Sequence, residues 1–359
     1  MAFPKVRRWP HLLCVVGVSA LLSQGVARAG KNDLQLGNLC APGTNTPAGL
    51  TRPECSWVQR DSLGRVTGVA LDAEAASSYR SLMSELGVAI APRLMTPADT
   101  LGYAGFQFSA ELGVTKISND KNFWDGTAAV TPGSTLAARP DSYLTTVGGF
   151  VRKGLWLPLP AFEFGAGALS ILGSRMYALQ GYAKMALQEG FHDWWLPSFA
   201  VRGGVSQLLG TAEVDLTVYS VDVLASKAFS VGGTARLEPF VGWSMLFIRA
   251  RSGVIDATPA CDALPGGPGG PPTTNPQCAA SQAPGGGDDL NANFTFPAQD
   301  IITRQRFVGG FKLKLSVLFM AAQVEFSPGG SSRDGSRVDG AVDRSGSQQT
   351  YSLAAGFDF

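Results

Sequence analysis

The residues that could do catalytic chemistry are few. His192 lies beside Asp193 in the segment Gly190–Trp195, and a histidine next to a carboxylate can act as an oriented general base. The same segment ends in Trp194 and Trp195, and a histidine in a turn among aromatic residues is more often an interfacial residue. No Gly-x-Ser-x-Gly motif occurs, so we predict that the protein is not an enzyme and name no catalytic residue.

A larger set of charged residues recurs on one face of segments in which apolar and polar residues alternate. In the first segment, Phe106, Phe108 and Leu112 share one face, and Gln107 and Glu111 share the other; this period of two is typical of a β-strand with one apolar face. If the strands close into a barrel, the polar faces line its lumen, where the charged residues either select ions or pair with one another. The balance of signs favours pairing. The predicted lumen-facing residues are Glu111, Arg152, Glu163, Lys184, Arg202, Asp215, Glu238, Arg306, Lys312 and Glu325.

The first 29 residues indicate export. They combine a basic start, an apolar stretch over Leu12–Leu22 and an Ala-Arg-Ala sequence before Gly30, which is the pattern of a cleaved signal peptide. The apolar stretch is shorter than the ~20 residues of a membrane-spanning helix. Without residues 1–29 the chain keeps 25 basic and 28 acidic residues, and a net charge of about −3 gives no indication of a nucleic-acid partner.

Four cysteines follow the predicted signal peptide: Cys40, Cys55, Cys261 and Cys278. An even number in an exported chain favours disulfides, and local pairing of the first two and of the last two is the simplest of three connectivities. Each bridge would close a loop of about 15 residues, worth about 3 kcal/mol in the chain-entropy model. Because no Cys-x-x-Cys occurs and one histidine remains, zinc is a poor alternative, and we predict no metal and no cofactor.

Ten segments with strand-like alternation follow residue 100, and we predict a barrel over residues 101–359. Strands this long exceed the ~5–6 residues usual in globular sheets, which disfavours a soluble β-sandwich. The longest connections follow odd-numbered strands, as expected when an even-stranded barrel has both ends on its periplasmic side. The predicted strands are 104–115, 142–153, 161–173, 176–188, 196–209, 213–229, 234–250, 301–314, 318–328 and 349–359.

One predicted strand, 213–229, changes phase. Leu216 and Val218 alternate correctly with their polar neighbours, but Val221 and Val223 are out of phase with them. A bulge inserts one residue and reverses the faces, so we predict a β-bulge near Tyr219.

Residues 30–100 precede the predicted barrel and contain one helical pattern. Leu71, Ala75, Tyr79, Leu82 and Leu86 recur at helical spacing, and the glycine that follows is a suitable C-cap. We predict an amphipathic helix over residues 71–86. It either plugs the lumen or lies against the periplasmic side of the barrel, and the sequence leaves both open.

The last segment carries a resemblance. In Thr350–Phe359, the residues Tyr351, Phe357 and Phe359 lie on one apolar face that ends in an aromatic residue. This resembles the outer-membrane β-barrel proteins of Gram-negative bacteria, in which such a strand forms the signal read by the barrel-assembly machinery. The resemblance is general and names no specific family. It implies an all-β, antiparallel up-and-down barrel in the cell outer membrane, with outer-membrane lipid, lipopolysaccharide and the assembly machinery as partners.

Three classes of function remain. The first is a narrow or gated conduit for small or apolar molecules, and the second is a structural or surface-interaction barrel without a transport role. The third is an outer-membrane hydrolase, which would depend on His192. In the connection 329–348, Asp334, Asp339 and Asp343 suggest calcium only loosely because their spacing matches no calcium loop. The oligomeric state stays open.

Overall fold

The computed structural model describes residues 30–40, 58–60, 62, 66–69, 71, 73–129, 140–155, 161–189, 195–231, 235–256, 293–335 and 340–359. Ten antiparallel strands close into a barrel, which confirms the predicted fold and strand count. Each strand pairs with the next, and the last pairs with the first. The strands are β1 (Phe106–Lys116), β2 (Tyr143–Leu155), β3 (Phe162–Ile171), β4 (Tyr177–Gln188), β5 (Ser198–Leu209), β6 (Val214–Ser226), β7 (Ala235–Ser252), β8 (Ile302–Leu315), β9 (Leu318–Ser327) and β10 (Gln348–Asp358).

The outer wall of the barrel is apolar and its interior is polar near one end. In β1 the side chains of Phe106, Phe108 and Leu112 are exposed, whereas Gln107 and Glu111 are buried. This is the reverse of a soluble protein, in which polar side chains face out. It is the distribution of a barrel whose outer wall faces lipid.

The two ends of the barrel differ in the length of their connections. We call the end that holds connections 156–161, 189–197, 227–234 and 316–317 the turn end, and the opposite end, with 117–142, 172–176, 210–213, 253–301 and 328–347, the loop end. β1 begins and β10 finishes at the turn end. Small elements decorate the barrel: the strands Val58–Arg60, Val66–Val69, Phe229–Val231, Ile255–Asp256 and Asn293–Phe294, and the 3-10 helices Leu36–Cys40 and Asn122–Asp125.

One helix, α1 (Ala73–Ile90), lies inside the barrel, where it packs against β6, β7, β8 and β10. The prediction that it ends at residue 86 with Gly87 as its cap is wrong. The helix continues to Ile90 and stops just before Pro92, because a proline disfavours helical backbone in the residue that precedes it. Among the described residues no helix combines the length and apolar composition that crossing a membrane requires.

The lumen has an apolar half and a polar half. Near the loop end, inward side chains of the strands form one apolar cluster with α1. Near the turn end the inward side chains are mostly polar or charged, and residues 91–101 run between them. The helix therefore provides an apolar surface for the loop-end half of the strands. The extended segment provides a polar surface for their turn-end half.

The change of phase predicted within β6 does not occur. Leu216 and Val218 face inward and pack in the cluster with α1, whereas Val221 and Val223 face outward, so one regular alternation runs through the strand. Its pairings with both neighbours show no shift of register, and the predicted bulge near Tyr219 is wrong. The physical reason is that a plugged barrel has apolar surface on both sides of its wall near the loop end.

Candidate functional site: the plugged lumen

Nine of the ten residues predicted to face the lumen are buried inside the barrel. The exception is Asp215, which is exposed on the outer side of β6 and accepts a hydrogen bond from Gln207 Nε2 at 2.6 Å. Its assignment to the lumen is wrong because it followed from the mistaken phase of β6. The nine buried residues are Glu111, Arg152, Glu163, Lys184, Arg202, Glu238, Arg306, Lys312 and Glu325.

Each of these nine charged residues has an ionic partner of opposite sign. Two partners, Asp222 and Asp358, are buried acids that the sequence analysis did not include. Asp222 accepts a hydrogen bond from Arg202 Nε at 2.8 Å and has Arg306 Nη2 at 3.8 Å, so it links an arginine of β5 with an arginine of β8. The remaining pairs are Arg152–Glu111, Lys184–Glu163 at 3.1 Å, Arg306–Glu325 at 3.3 Å, Lys312–Asp358 at 2.5 Å and Arg236–Glu238.

Basic side chains of the wall also bind the carbonyl groups of the extended segment 91–101. Arg202 donates from Nη1 to the carbonyl of Arg93 at 2.6 Å and from Nη2 to that of Pro92 at 3.1 Å. Arg306 donates to the same carbonyl of Pro92 at 2.8 Å. The two arginines therefore neutralise Asp222 and also hold this segment. We call α1 and residues 91–101 together the plug.

Closer to the turn end, Lys184 likewise pairs with a buried acid and binds carbonyl groups of the segment 91–101. Its ammonium donates to the carbonyls of Pro97 at 3.1 Å and Asp99 at 2.9 Å while it pairs with Glu163. Glu163 also accepts the backbone N–H of Leu101 at 3.2 Å. One buried ion pair thus binds the plug through both an acceptor and a donor of its main chain.

Two more backbone donors of the segment have neutral partners on the wall. Met95 N–H donates to Gln323 Oε1 at 2.8 Å, and Ala98 N–H donates to Ser226 Oγ at 2.9 Å. A buried backbone group without a partner would be costly. Because strand side chains bind several backbone groups of this extended segment, it is an integral part of the fold.

Near the loop end, one polar stripe of α1 binds an extended part of the connection 328–347. The stripe repeats every four residues, about 6 Å along the helix axis, and the bound N–H groups repeat every second residue, about 6.6 Å along extended backbone. The two repeats match, so three hydrogen bonds form in register. They run from Val342 N–H to Ser77 Oγ at 3.0 Å, from Arg344 N–H to Ser81 Oγ at 2.8 Å and from Gly346 N–H to Glu85 Oε1 at 2.8 Å.

Glu85 also binds the connection 117–142. Its Oε2 accepts from the indole N–H of Trp124 at 2.7 Å and from the backbone N–H of Ser118 at 2.9 Å. Next to it, Ser84 Oγ donates to Asp343 Oδ2 at 2.7 Å. The carboxylate of Glu85 is therefore fully engaged by two loops that fold over the mouth of the barrel.

Residues 30–39 bind the connections at the loop end, and we call them the clasp. Asn32 donates its backbone N–H to the carbonyl of Gly173 at 3.0 Å and its side-chain amide to that of Leu172 at 2.8 Å. Leu34 forms an isolated β-bridge with Thr127. The chain thus begins its described course at the loop end.

Two acids of the clasp region have shifted pKa values. Burial would raise the pKa of Asp33, but the N–H of Arg175, the hydroxyl of Ser174 and the N–H of Gly30 donate to its carboxylate, and the net effect lowers the pKa. Burial raises the pKa of Glu213, and the N–H of Leu36 offsets this only in part. The clasp therefore contains one carboxylate whose charged form is favoured, Asp33, and contacts one whose charged form is disfavoured, Glu213.

Comparison with known proteins adds the following. No family model matches the chain, and no curated protein matches it. Solved structures to which it is similar include Ail, the attachment invasion locus protein of Yersinia pestis, with 10% identity, 72% of this chain and 99% of that chain covered, and a TM-score of 0.23. Another is Neisserial surface protein A, with 10% identity, 70% of this chain and 95% of that chain covered, and a TM-score of 0.25. A third is the translocator domain of autotransporter NalP from Neisseria meningitidis, with 10% identity, 73% of this chain and 89% of that chain covered, and a TM-score of 0.31. These values carry no conclusion about what this chain does.

Several predicted site residues lie outside the described part of the chain. They are His192, Cys55, Cys261, Cys278 and Asp339, and the same holds for the side chain of Cys40. The two disulfides therefore stay predictions. Within the described ranges, no three His, Cys, Asp or Glu side chains are grouped as a metal site would require.

The predicted assembly-signal residues Tyr351, Phe357 and Phe359 all lie on the outer wall. Phe357 and Phe359 stack with ring centroids 6.2 Å apart. The backbone of Phe359 exchanges two hydrogen bonds with Phe106, at 2.8 and 3.0 Å. These bonds close the barrel at the turn end, and the signalling role stays a prediction.

Proposed function

We propose that this protein is an integral barrel of the bacterial outer membrane that is sealed by its own amino-terminal segment and works through its loop-end surface. The observation that carries the proposal is the continuous filling of the lumen, from the clasp at the loop end, through α1, to Leu101 at the turn end. This favours a surface-interaction barrel over the conduit.

The membrane location rests on the chain's own features. The outer wall exposes large apolar side chains on all ten strands, and long connections gather at one end. In outer-membrane barrels the short turns face the periplasm and the long loops face outside. Together with the predicted signal peptide and the aromatic final strand, this supports the proposal that the loop end lies at the cell surface, in contact with lipopolysaccharide.

A steady conduit would require the plug to leave, and the polar half of the lumen opposes this. Removal of residues 91–101 would take away the carbonyl partners of Arg202, Arg306 and Lys184. Each buried donor left without a hydrogen-bond partner costs about 1–3 kcal/mol. The resting barrel is therefore expected to stay closed to small solutes.

Planar-bilayer recordings test the proposal. We expect no steady conductance from the full-length protein, and a steady conductance from a variant that lacks residues 30–101, with insertion of both checked by heat-dependent mobility on gels. The recording from the full-length protein tests whether the lumen is sealed, even if the deletion variant does not insert. A large, stable, ohmic conductance from the intact protein would overturn the sealed barrel and move the conduit to first place.

A further inference from the structure

We propose that Arg249 and Arg251, on the outer wall of β7 near the loop end, bind the phosphate of a membrane lipid, namely of lipopolysaccharide in the outer leaflet. The inference rests on the proposed function for one thing, the orientation with the loop end at the cell surface. It deepens that function, because it assigns the contact with lipopolysaccharide to a phosphate site made by two side chains.

Charged residues are rare on the outer side of the described strands. They are Lys116, Lys153, Asp215, Arg249 and Arg251, and the other outward-facing residues of the ten strands are apolar or neutral. Lys116 lies at the loop end of β1 and Lys153 near the turn end of β2. Arg249 and Arg251 are therefore the place on the described strands where two outward cations adjoin.

The two guanidinium groups are spaced for one anion. Arg249 and Arg251 are two residues apart on the same face of β7, roughly 6.6–6.8 Å along the strand, and both are exposed. Each guanidinium is a planar group of N–H donors that matches the oxygens of a phosphate in pairs. Because two cations so close repel each other, a shared phosphate replaces one repulsion with two attractions.

The protein itself uses neither guanidinium. Among the described residues, Arg249 and Arg251 have no hydrogen bond and no ion pair. Asp215 lies opposite Arg251 in the strand pairing, but its carboxylate accepts from Gln207 Nε2 at 2.6 Å, and Gln207 Oε1 accepts from the hydroxyl of Thr217. These three side chains bind one another, so the donors of both arginines are free for a ligand outside the barrel.

The position of the arginines indicates a lipid as the carrier of the phosphate. Trp243, Met245 and Phe247 precede Arg249 on the same face of β7, and Tyr219 of β6 lies opposite Phe247. Tryptophan and tyrosine are enriched where the hydrocarbon meets the headgroups. An arginine on a lipid-facing wall is costly at mid-membrane and nearly free of cost at this boundary. The arginines therefore lie at headgroup level, and acyl chains run along the apolar residues beside them.

Titration with lipid A, the phosphorylated and acylated membrane part of lipopolysaccharide, tests the site. The full-length protein is kept in non-ionic detergent, and native mass spectrometry measures the bound fraction. The test variant combines Arg249→Gln with Arg251→Gln. The matched control combines Lys116→Gln with Lys153→Gln, which removes the same charge from the same outer wall. Heat-dependent mobility on gels checks that each variant is folded.

We expect the arginine variant to bind lipid A about tenfold more weakly, which corresponds to about 1.4 kcal/mol. The lysine control should bind as the unchanged protein does, and equal weakening of both variants would overturn the site. Asp215→Asn removes the anion that lies opposite Arg251 and should tighten binding, because less negative charge then opposes the phosphate. Weaker binding of this third variant would contradict a phosphate at the arginines.

Two further probes separate the phosphate from its carrier. We expect dephosphorylated lipid A to bind no more tightly to the unchanged protein than to the arginine variant. We expect inorganic phosphate at the same concentration not to displace lipid A. Tight binding of the dephosphorylated lipid would mean that the acyl chains alone are recognised and would overturn the phosphate site. Displacement by inorganic phosphate would mean a site for free anions and would overturn the lipid as ligand.

A failure of this inference can be distinguished from a failure of the proposed function. Binding in detergent depends neither on the orientation nor on the sealed lumen, so a negative titration leaves both standing. The orientation is tested by an epitope tag within the connection 253–301, which we expect antibody to label on intact cells. Labelling only after permeabilisation would overturn the orientation and the proposed function, and with them the encounter of these arginines with lipopolysaccharide, whatever the titration gives.

Discussion

Gly87 of α1 lies directly against Ile248 of β7. A β-carbon on Gly87 would be 2.7 Å from Cδ1 and 2.8 Å from Cγ2 of Ile248, closer than side-chain atoms pack. Glycine inside a helix ordinarily costs about 0.5–1 kcal/mol, and here its lack of a side chain lets the helix approach the wall. The distance between helix and barrel is therefore set at this contact.

Gly87→Ala is expected to destabilise the folded protein by about 1–3 kcal/mol, the usual range for overpacking a core. Urea unfolding in detergent micelles measures this. The matched control is Gly203→Ala, since a β-carbon on Gly203 meets no atom within 4 Å. Equal stabilities of the two variants would mean that α1 does not pack against β7 as described.

Glu85→Ala is expected to loosen both loops that fold over the mouth. It removes the acceptor from Trp124, Ser118 and Gly346, and each buried donor left unpaired costs about 1–3 kcal/mol. We expect a red shift of tryptophan fluorescence and faster proteolysis within residues 328–347. Glu74→Ala is the control, because Glu74 lies on the same helix in a half-exposed ion pair with Arg344, which is worth little. Indistinguishable proteolysis of the two variants would argue against the role of Glu85.

Arg202→Met is expected to cost more than its combination with Asp222→Leu. The single change leaves a buried carboxylate without its closest cation and two plug carbonyls without donors, at about 3–5 kcal/mol. Removing Asp222 as well takes away the uncompensated charge, so part of the stability returns. A double-mutant cycle by urea unfolding measures the coupling, and the exposed pair Lys31–Asp141 is the reference. A coupling energy as small as the reference would contradict a tightly bound Asp222.

The clasp is expected to weaken in acid through Asp33. Its pKa is lowered in the folded state, so the stabilisation is fully present above the ordinary carboxyl pKa of about 4 and is lost as the pH falls through the folded value. The amide resonance of Arg175, which donates to Asp33 at 2.7 Å, should titrate with a midpoint below about 4. Asp33→Asn should abolish this titration. A midpoint at or above the ordinary value would contradict the binding mode of the clasp.

The sequence was sufficient to predict the barrel. Residues such as Phe108 and Gln107 alternate because one side of the wall faces lipid and the other side a polar interior. Each strand carries this information locally, so the strand count and the connection lengths followed. The burial of Glu111 and Arg306 followed from the same periodicity.

The plug could not be located from periodicity alone. Leu216 and Val218 face a helix that is distant in sequence, and apolar residues on both faces of a strand look the same as a bulge. The apolar residues on both faces of β6 reflect lipid on the outside of the wall and the helix on the inside. The polar stripe of Ser77, Ser81 and Glu85 likewise binds a connection more than 250 residues away, and no local pattern reports such a partner.

Hydrogen–deuterium exchange tests the central claim, the sealing of the lumen by the chain's own segment, most directly. Amides in residues 79–98 of the full-length protein in detergent should exchange as slowly as those in the middle of β1 and β8, because helix bonds, Gln323 and Ser226 hold them inside the barrel. Exchange of these residues within the dead time of mixing, while the strands stay protected, would mean that the segment lies outside the lumen and would contradict the account.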